Sequence, residues 1–327
     1  MSFSVVIAAH DRADALKRNL QKLLEQQYEP GYEVIVVDES STDETSEVLT
    51  EMKAAYPNFY STYIPASSHY VSRRKLALTL GIKAAHNERI IITDADCSPV
   101  SNHWLETIAN HCPEENDVLC CFTYYDESTP EYYSYLRLKS WCMQTARPYR
   151  CAGACVIIRK SLFMQKEGFI RNLTFRRGEF DFLVNESETA ARMVDNDCYL
   201  LQECPTKKEW LYEQLHYLCI QPHLHHKWCG KLMLLADQTL LHAVTLGTIA
   251  YAAFASIQGE VLYATIALLV LLLFIILRFA IDYLRTKKLG VSIAWWKLPF
   301  FDYRYLWTML CLRFRYVLAD KADFIRK

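Results

Sequence analysis

Glycine is scarce in this chain, nine in 327 residues, and no two glycines lie close enough to build a glycine-rich phosphate loop. A phosphorylated ligand would have to be met by side chains or a bound cation rather than by a cradle of backbone amides. Internal repeats and low-complexity tracts are also missing, so neither a solenoid nor a long disordered tail is expected. Charge of one sign is not in excess. With 36 Lys and Arg against 37 Asp and Glu, the net charge is −1, and no overall basic field points to nucleic acid. No secretory segment stands before Phe3, where a core strand begins at once, so the soluble part is expected in the cytoplasm. The twelve cysteines do not change this. Cys120-Cys121 and the pair Cys151 and Cys155 lack the spacing of a zinc site and read as reduced packing residues.

Apolar residues, by contrast, are plentiful. They make up 52% of the chain, enough for a large core, and the soluble part of about 230 residues is within single-domain range. Phe3 to Ala9 reads as a strand, His10-Asp11-Arg12 as a turn, and Ala13 to Gln27, with Leu16, Leu20, Leu23 and Leu24, as an amphipathic helix. A second strand, Tyr32 to Val37, ends in Asp38-Glu39-Ser40. Ser41 with Glu44 then has capping-box spacing for a helix to about Ala55. A third strand near Phe59 to Ile64 and a helix near Val71 to Ala85 lead to the apolar run Arg89-Ile90-Ile91-Ile92-Thr93. This alternation predicts an α/β fold with a doubly wound, mostly parallel sheet.

Asp94-Ala95-Asp96 follows that run directly. A buried strand ending in two carboxylates places both at the carboxyl edge of the sheet, where open α/β folds bind ligands. Such a pair suits Mg²⁺ or Mn²⁺, which complete their shells with substrate phosphates. Asp38 is expected at the same edge. Taken singly, each of these aspartates also reads as a cap of the next turn or helix, and for Asp38 alone that reading is preferred.

Five blocks then stand in order: Val5 to Arg12; Val36 to Asp43; Lys75 to Ala85 with Thr93-Asp94-Ala95-Asp96-Cys97; Gly153-Ala154 with Arg159 to Phe163 and Gly168-Phe169; and Gly178-Glu179-Phe180-Asp181-Phe182-Leu183. Together they resemble the inverting family-2 glycosyltransferases of GT-A fold, over Phe3 to about Tyr217. The resemblance implies that Asp96 ligates a metal and that Asp94 helps through the metal or the ribose, so that a nucleotide-diphospho-sugar can release its diphosphate. Ala9, His10, Arg12 and Asp38 would border the nucleoside. Arg74 and Lys75, with Arg73, would reach the diphosphate; the bland reading of this cluster is the solvated start of a helix. Gly153 and Gln214 would lie on the acceptor side. Inversion needs a carboxylate to deprotonate the acceptor hydroxyl, and Glu179 and Asp181 are the candidates, with Glu179 preferred. Phe180 separates the two acids, so their register is open. Gln214-Leu215-His216-Tyr217-Leu218 keeps only the glutamine of a Gln-x-x-Arg-Trp pattern. His223, His225, His226 and Trp228 lack zinc spacing and read as a histidine-rich junction beside a membrane.

Beyond residue 237 the chain changes in kind. Gln238 to Ile257 holds twenty residues without formal charge and Val261 to Leu277 seventeen more, each near the roughly 20 residues that span a bilayer. The second run extends through Phe279-Ala280-Ile281 if Arg278 snorkels. A buried hairpin is the alternative, but Leu268 to Leu277 has no polar face. Lys227 and Lys231 precede the runs, Arg278, Arg285, Lys287 and Lys288 follow them, and the link Gln258-Gly259-Glu260 has no basic residue. The link is therefore expected outside and both ends in the cytoplasm. Residues 1–204 carry 21 Lys and Arg against 29 Asp and Glu, residues 205–327 carry 15 against 8, so the basic part is the membrane part. Trp295, Trp296, Phe300, Phe301, Tyr303, Tyr305 and Trp307 among Lys297, Arg304, Arg313 and Arg315 mark helices lying at the interface.

The expected architecture is a GT-A-like domain over residues 1–230, two transmembrane helices over 231–281 and a cytoplasmic interfacial tail over 282–327. It belongs to a multi-pass protein of the inner (plasma) membrane with a cytoplasmic catalytic domain. The expected activity is Mn²⁺- or Mg²⁺-dependent transfer from a nucleotide-sugar donor to a lipid-linked or other saccharide acceptor, in cell-surface polysaccharide or glycolipid synthesis. Transfer to a polyprenyl phosphate and nucleotide-sugar binding by a non-catalytic subunit are the alternatives. The intact aspartate pair argues against the second.

Overall fold

A run apolar at every position but Ser4 leaves neither face to solvent, and β1 (Phe3–Ala9) is buried at every position. The structure, a computed structural model, describes residues 1–66, 72–144, 147–193, 195–225 and 227–325, with the backbone alone for 227–229. After β1 come α1 (Ala13–Leu24), β2 (Tyr32–Asp38), α2 (Thr45–Ala55), β3 (Phe59–Tyr63), α3 (Arg73–Ala84) and β4 (Arg89–Asp94). This is the expected alternation. The helix boundaries differ for local reasons. α1 stops at Leu24 because the Tyr32 hydroxyl donates to the Leu24 carbonyl (2.6 Å) and accepts from the Gln26 amide (3.0 Å). α2 starts at Thr45 because Ser41 does not cap it: its hydroxyl donates to Asp38 (2.6 Å) and accepts from the Asp11 amide (2.9 Å).

β5 (Cys97–Pro99), α4 (Trp104–His111), β6 (Val118–Cys121), β7 (Thr123–Tyr125), α5 (Glu131–Cys142), β8 (Cys155–Arg159), α6 (Lys160–Gln165), α7 (Glu179–Glu186), β9 (Ala191–Arg192), β10 (Leu200–Gln202) and α8 (Lys207–Ile220) follow. The main sheet has the order β3-β2-β1-β4-β8-β6-β9. β3, β2, β1 and β4 are parallel, whereas β8 runs antiparallel to both β4 and β6. The sheet is therefore mixed. β8 re-enters at the edge where β6 leaves, since the chain between them makes no crossover. A small sheet, β5-β10-β7, stands beside it. The register sets Ala9 opposite Asp38 and Ala8 opposite Asp94. Both strand-end aspartates thus flank β1 at one carboxyl edge.

The remaining helices are α9 (Lys227–Ile257), α10 (Val261–Lys288) and α11 (Leu298–Leu318). The chain divides into two compact units, Met1–Thr129, Ala146–His226 and Tyr316–Lys327 in one, Pro130–Thr145 and Lys227–Arg315 in the other. The sequence suggested consecutive blocks, but the units interleave. In the second unit the Lys139 ammonium of α5 pairs with Asp237 (3.1 Å) and Asp302 (2.8 Å), and the Tyr135 hydroxyl donates to Asp282 and Asp302, 3.1 Å each. Arg278, at the end of the second apolar run, forks onto Asp237 (2.9 and 3.0 Å) and reaches Asp302 at 2.7 Å. Buried charges persist only when compensated in this way.

α9 and α10 are long and apolar enough to cross a membrane. Ala252, Ala255, Ala264 and Ala267 pack together, so small residues bring the two helices close. Leu268, Leu269, Leu272, Leu273, Ile276 and Leu277 remain exposed, which a hairpin enclosed by its own globule would not leave so.

Candidate active site

The turn after β4 carries Asp94 and Asp96, and the small sheet fixes the second of them. Gln202 lies opposite Cys97 in the β10 and β5 pair, and its amide donates to the Asp96 carboxylate at 3.1 Å. The Glu203 amide donates to the Asp96 carbonyl at 2.9 Å. Burial, and then the charge of Asp94, push the Asp96 carboxyl up to about 6. Two carboxylates one residue apart thus stand at this turn. Among the described residues no group of three or more His, Cys, Asp or Glu side chains converges on a metal position. This donor set does not fit a structural zinc. It fits a hard divalent cation that takes its other ligands from phosphate and water.

The basic cluster at the start of α3 separates into three roles because successive helical residues point about 100° apart. Arg73 donates to the Glu39 carbonyl (3.2 Å) and the Ser40 hydroxyl (2.6 Å), holding the loop after β2. Arg74, largely buried, forms ion pairs with both Asp94 and Glu179. Lys75 departs from its expected place at a diphosphate. It is fully buried, and its ammonium donates to the carbonyls of Asn172 (2.6 Å) and Phe175 (2.7 Å). Burial lowers it to about 8.

The residues expected around a nucleoside lie on two loops tied to each other. Asp38 accepts from the Ser41 amide (2.9 Å) and hydroxyl, and Asp11, at φ 50°, accepts from the Thr42 amide (2.7 Å). Ala9 is buried and His10 exposed, while Arg12 pairs with Glu209 at 2.9 Å. Glu209 also completes a capping box with Thr206 at the start of α8.

α7 begins with both candidate bases in its first turn, where the helix dipole favours carboxylates. Glu179 is 3% exposed. Burial opposes its ionisation, but Arg74, Arg177 and Lys75 outweigh that and hold the carboxyl below its usual range. One of its oxygens faces Arg74; the other, Oε2, is buried with no hydrogen-bond partner among the described residues. Asp181 is engaged elsewhere. It accepts from the Cys151 amide at 2.9 Å and lies 3.6 Å from the Arg150 guanidinium, and burial raises it.

Gly153 lies close beneath β7, since a Cβ there would meet the Thr123 hydroxyl at 2.6 Å. Gln214 is half-buried on α8. His216, two residues on, is buried, its Nε2 without a hydrogen-bond partner among the described residues, and burial and Arg177 lower it to about 4. The His223 ring packs on Phe175 (4.8 Å), and the His225 amide donates to Asn185 of α7 (2.7 Å). His226 lies outside the described residues.

Gly178 gives this turn its shape. Its φ is 92°, and a Cβ would meet Ile220 Cδ1 at 2.7 Å. Gly178→Ala should cost about 1–2 kcal/mol for the left-handed backbone and a further ~1–3 kcal/mol for overpacking. A thermal melt of the ligand-free variant measures the loss; an unchanged midpoint would contradict it.

Comparison with known proteins follows the same outline. The family described as Glycosyl transferase family 2 matches residues 4–171, just over half of the chain. Glycosyltransferase AglE of Haloferax volcanii is 30% identical over 104 residues, 32% of this chain and 33% of that protein. The chain thus spans about a third of the curated relative it matches. Among solved structures, the mannosyltransferase PcManGT from Pyrobaculum calidifontis, in complex with GDP-Man and Mn²⁺, gives a TM-score of 0.51 at 16% identity, over 83% of this chain and 86% of that one. That likeness is one of fold.

Proposed function

The chain belongs to glycosyl transferase family 2, and from that premise we propose that it transfers a sugar, with inversion, from a nucleotide-diphospho-sugar to a lipid-linked saccharide. The observation that carries this reading is the Glu179 carboxylate. It is buried and held ionised by Arg74, and one of its oxygens has no hydrogen-bond partner among the described residues, while the same Arg74 contacts Asp94 of the aspartate pair. In this reading Asp94 and Asp96 hold Mn²⁺ or Mg²⁺, which neutralises the departing diphosphate when bound. Ala9, His10, Arg12 and Asp38 line the nucleoside side, and Gly153 and Gln214 the acceptor side. Arg74 keeps Glu179 charged and in place, and Glu179 takes the proton of the attacking hydroxyl. Asp181 supports the turn at Cys151. Lys75 acts through the loop it holds.

A screen of GDP-mannose, the ligand of the Pyrobaculum structure, against UDP-N-acetylglucosamine tests the reading through binding and slow hydrolysis, with and without EDTA. Metal-dependent binding and turnover of one donor are expected. Stoichiometric donor binding by folded protein with turnover of neither donor would favour the non-catalytic subunit.

The two apolar helices, with the exposed Trp295, Trp296, Phe300 and Trp307 beyond them, support an anchor that keeps the site near a bilayer, the catalytic part on the cytoplasmic side of the inner membrane. A cysteine probe placed at Gln258 should be labelled from outside intact cells and one at Lys288 should not. The reverse pattern rejects this orientation.

A further inference from the structure

The last residues of the chain, which composition groups with an interfacial tail, return to the unit that holds the candidate site. Ile325 forms an antiparallel bridge with Phe175, and the Arg176 amide donates to the Phe324 carbonyl at 3.0 Å. The Phe324 side chain is 2% exposed, its ring 4.9 Å from that of His216 and 5.8 Å from that of Tyr316. It shares a core cluster with Phe175 and with Phe182 of α7, whose rings lie 5.4 Å apart. Aromatic packing of this kind, with a backbone hydrogen bond beside it, fixes a segment rather than merely covering it.

The segment so fixed leads straight into Glu179. From the other side, the first turn of α3 holds it as well. Lys75 takes the carbonyls of Asn172 and Phe175, and the Ser72 hydroxyl donates to the Arg176 carbonyl at 2.9 Å. Arg74, between those two residues, pairs with Glu179 itself. Backbone groups from residue 172 to 176 are therefore held on two sides, by α3 and by the chain's end. Three residues beyond Arg176 the carboxylate must meet both a guanidinium and an acceptor hydroxyl. Misplacing a reacting group by about 1 Å costs as much as ~10²-fold in rate.

We propose that residues 316–325 are a positioning element of the reaction: by closing on residues 172–176 they set the Glu179 carboxylate against Arg74 in the geometry in which it accepts a proton. The proposal rests on Glu179 being the base. Phe324 is its key side chain, buried against the rings of Tyr212, His216 and Tyr316.

The test compares wild type, Phe324→Ala, Phe324→Leu, Glu179→Gln and the double variant Phe324→Ala/Glu179→Gln, each as the full chain in detergent with Mn²⁺. The probe is whichever of GDP-mannose and UDP-N-acetylglucosamine the wild type hydrolyses, and donor Kd and kcat are measured separately. Phe324→Ala should lower kcat about tenfold or more at unchanged donor Kd. Phe324→Leu should restore most of it, and the double variant should be no slower than Glu179→Gln alone. Losses that multiply in the double variant overturn the proposal, because Phe324 then acts independently of Glu179. So does a Phe324→Ala enzyme with wild-type kcat, or one whose donor Kd rises in step with the loss, which is general unfolding. If Glu179→Gln turns over like wild type, or the wild type hydrolyses neither probe, the reading of the base or of the activity has failed, and the positioning role fails with it. A slow Glu179→Gln beside an unimpaired Phe324→Ala rejects the positioning role alone.

Discussion

Asp96→Ala is expected to reduce donor binding in the presence of Mn²⁺ to the level that wild type shows with EDTA, and to abolish transfer. If Asp94 and Asp96 hold a divalent ion as proposed, the substitution would remove a ligand that no neighbour replaces, since no third acidic or imidazole ligand converges there among the described residues. The fold should survive. The Asp96 side chain accepts from Gln202 and contacts the Cys97 thiol at 3.6 Å, and removing a repelling carboxylate relieves Asp94. Gln202→Ala is the milder counterpart. It frees the carboxylate to rotate, and loss of such an orienting partner typically weakens metal affinity by about 10–100-fold. Calorimetric titration of donor with and without EDTA measures both variants. Metal-independent binding and full turnover in Asp96→Ala would end the assignment.

Glu179→Gln should lower turnover by about 10²–10⁴-fold with little change in donor affinity, the usual contribution of a general base. The substitution keeps size and removes charge, and Arg74 retains Asp94 as a partner. Asp181→Asn should cost less in turnover. Its carboxylate already serves the Cys151 amide and the Arg150 guanidinium, so the main loss is expected in stability. Should Asp181→Asn prove the inactive variant, the base lies two residues further along α7 than proposed. Full activity in both variants would place the base outside this helix.

In the parallel half of the sheet β1, β2 and β4 were legible because each carries an apolar run bounded by turns, and the aspartates that end β2 and β4 follow from where those runs stop. Asp38 and Asp94 needed no more than that to be placed on one edge. The antiparallel β8 was not legible. Strand direction depends on the connection, and residues 126–154 carry no periodic signal that tells a crossover from an excursion. Gln202 was missed for a related reason. It stands 106 positions from Asp96 in the chain, and only the pairing of two three-residue strands brings it there. The basic triplet Arg73-Arg74-Lys75 shows the limit within one helix. Composition marked a cluster, and the rotation of the helix assigned each member a different partner.

Local sequence determined the elements, the carboxyl-edge aspartates and the two apolar helices, because periodicity, strand ends and length for a bilayer are properties of short stretches. It also set the two candidate acids two residues apart, and the structure put both in the first turn of α7. Which acid faces Arg74 and which faces Arg150 was left to the tertiary structure, as were the burial of Lys75, the pairing of Arg278 with Asp237 and Asp302, and the return of Phe324 to residue 176. Each of these is a charge or a backbone group taken out of water, and such a group takes its partner from whatever the fold brings within hydrogen-bond reach, at any distance along the chain.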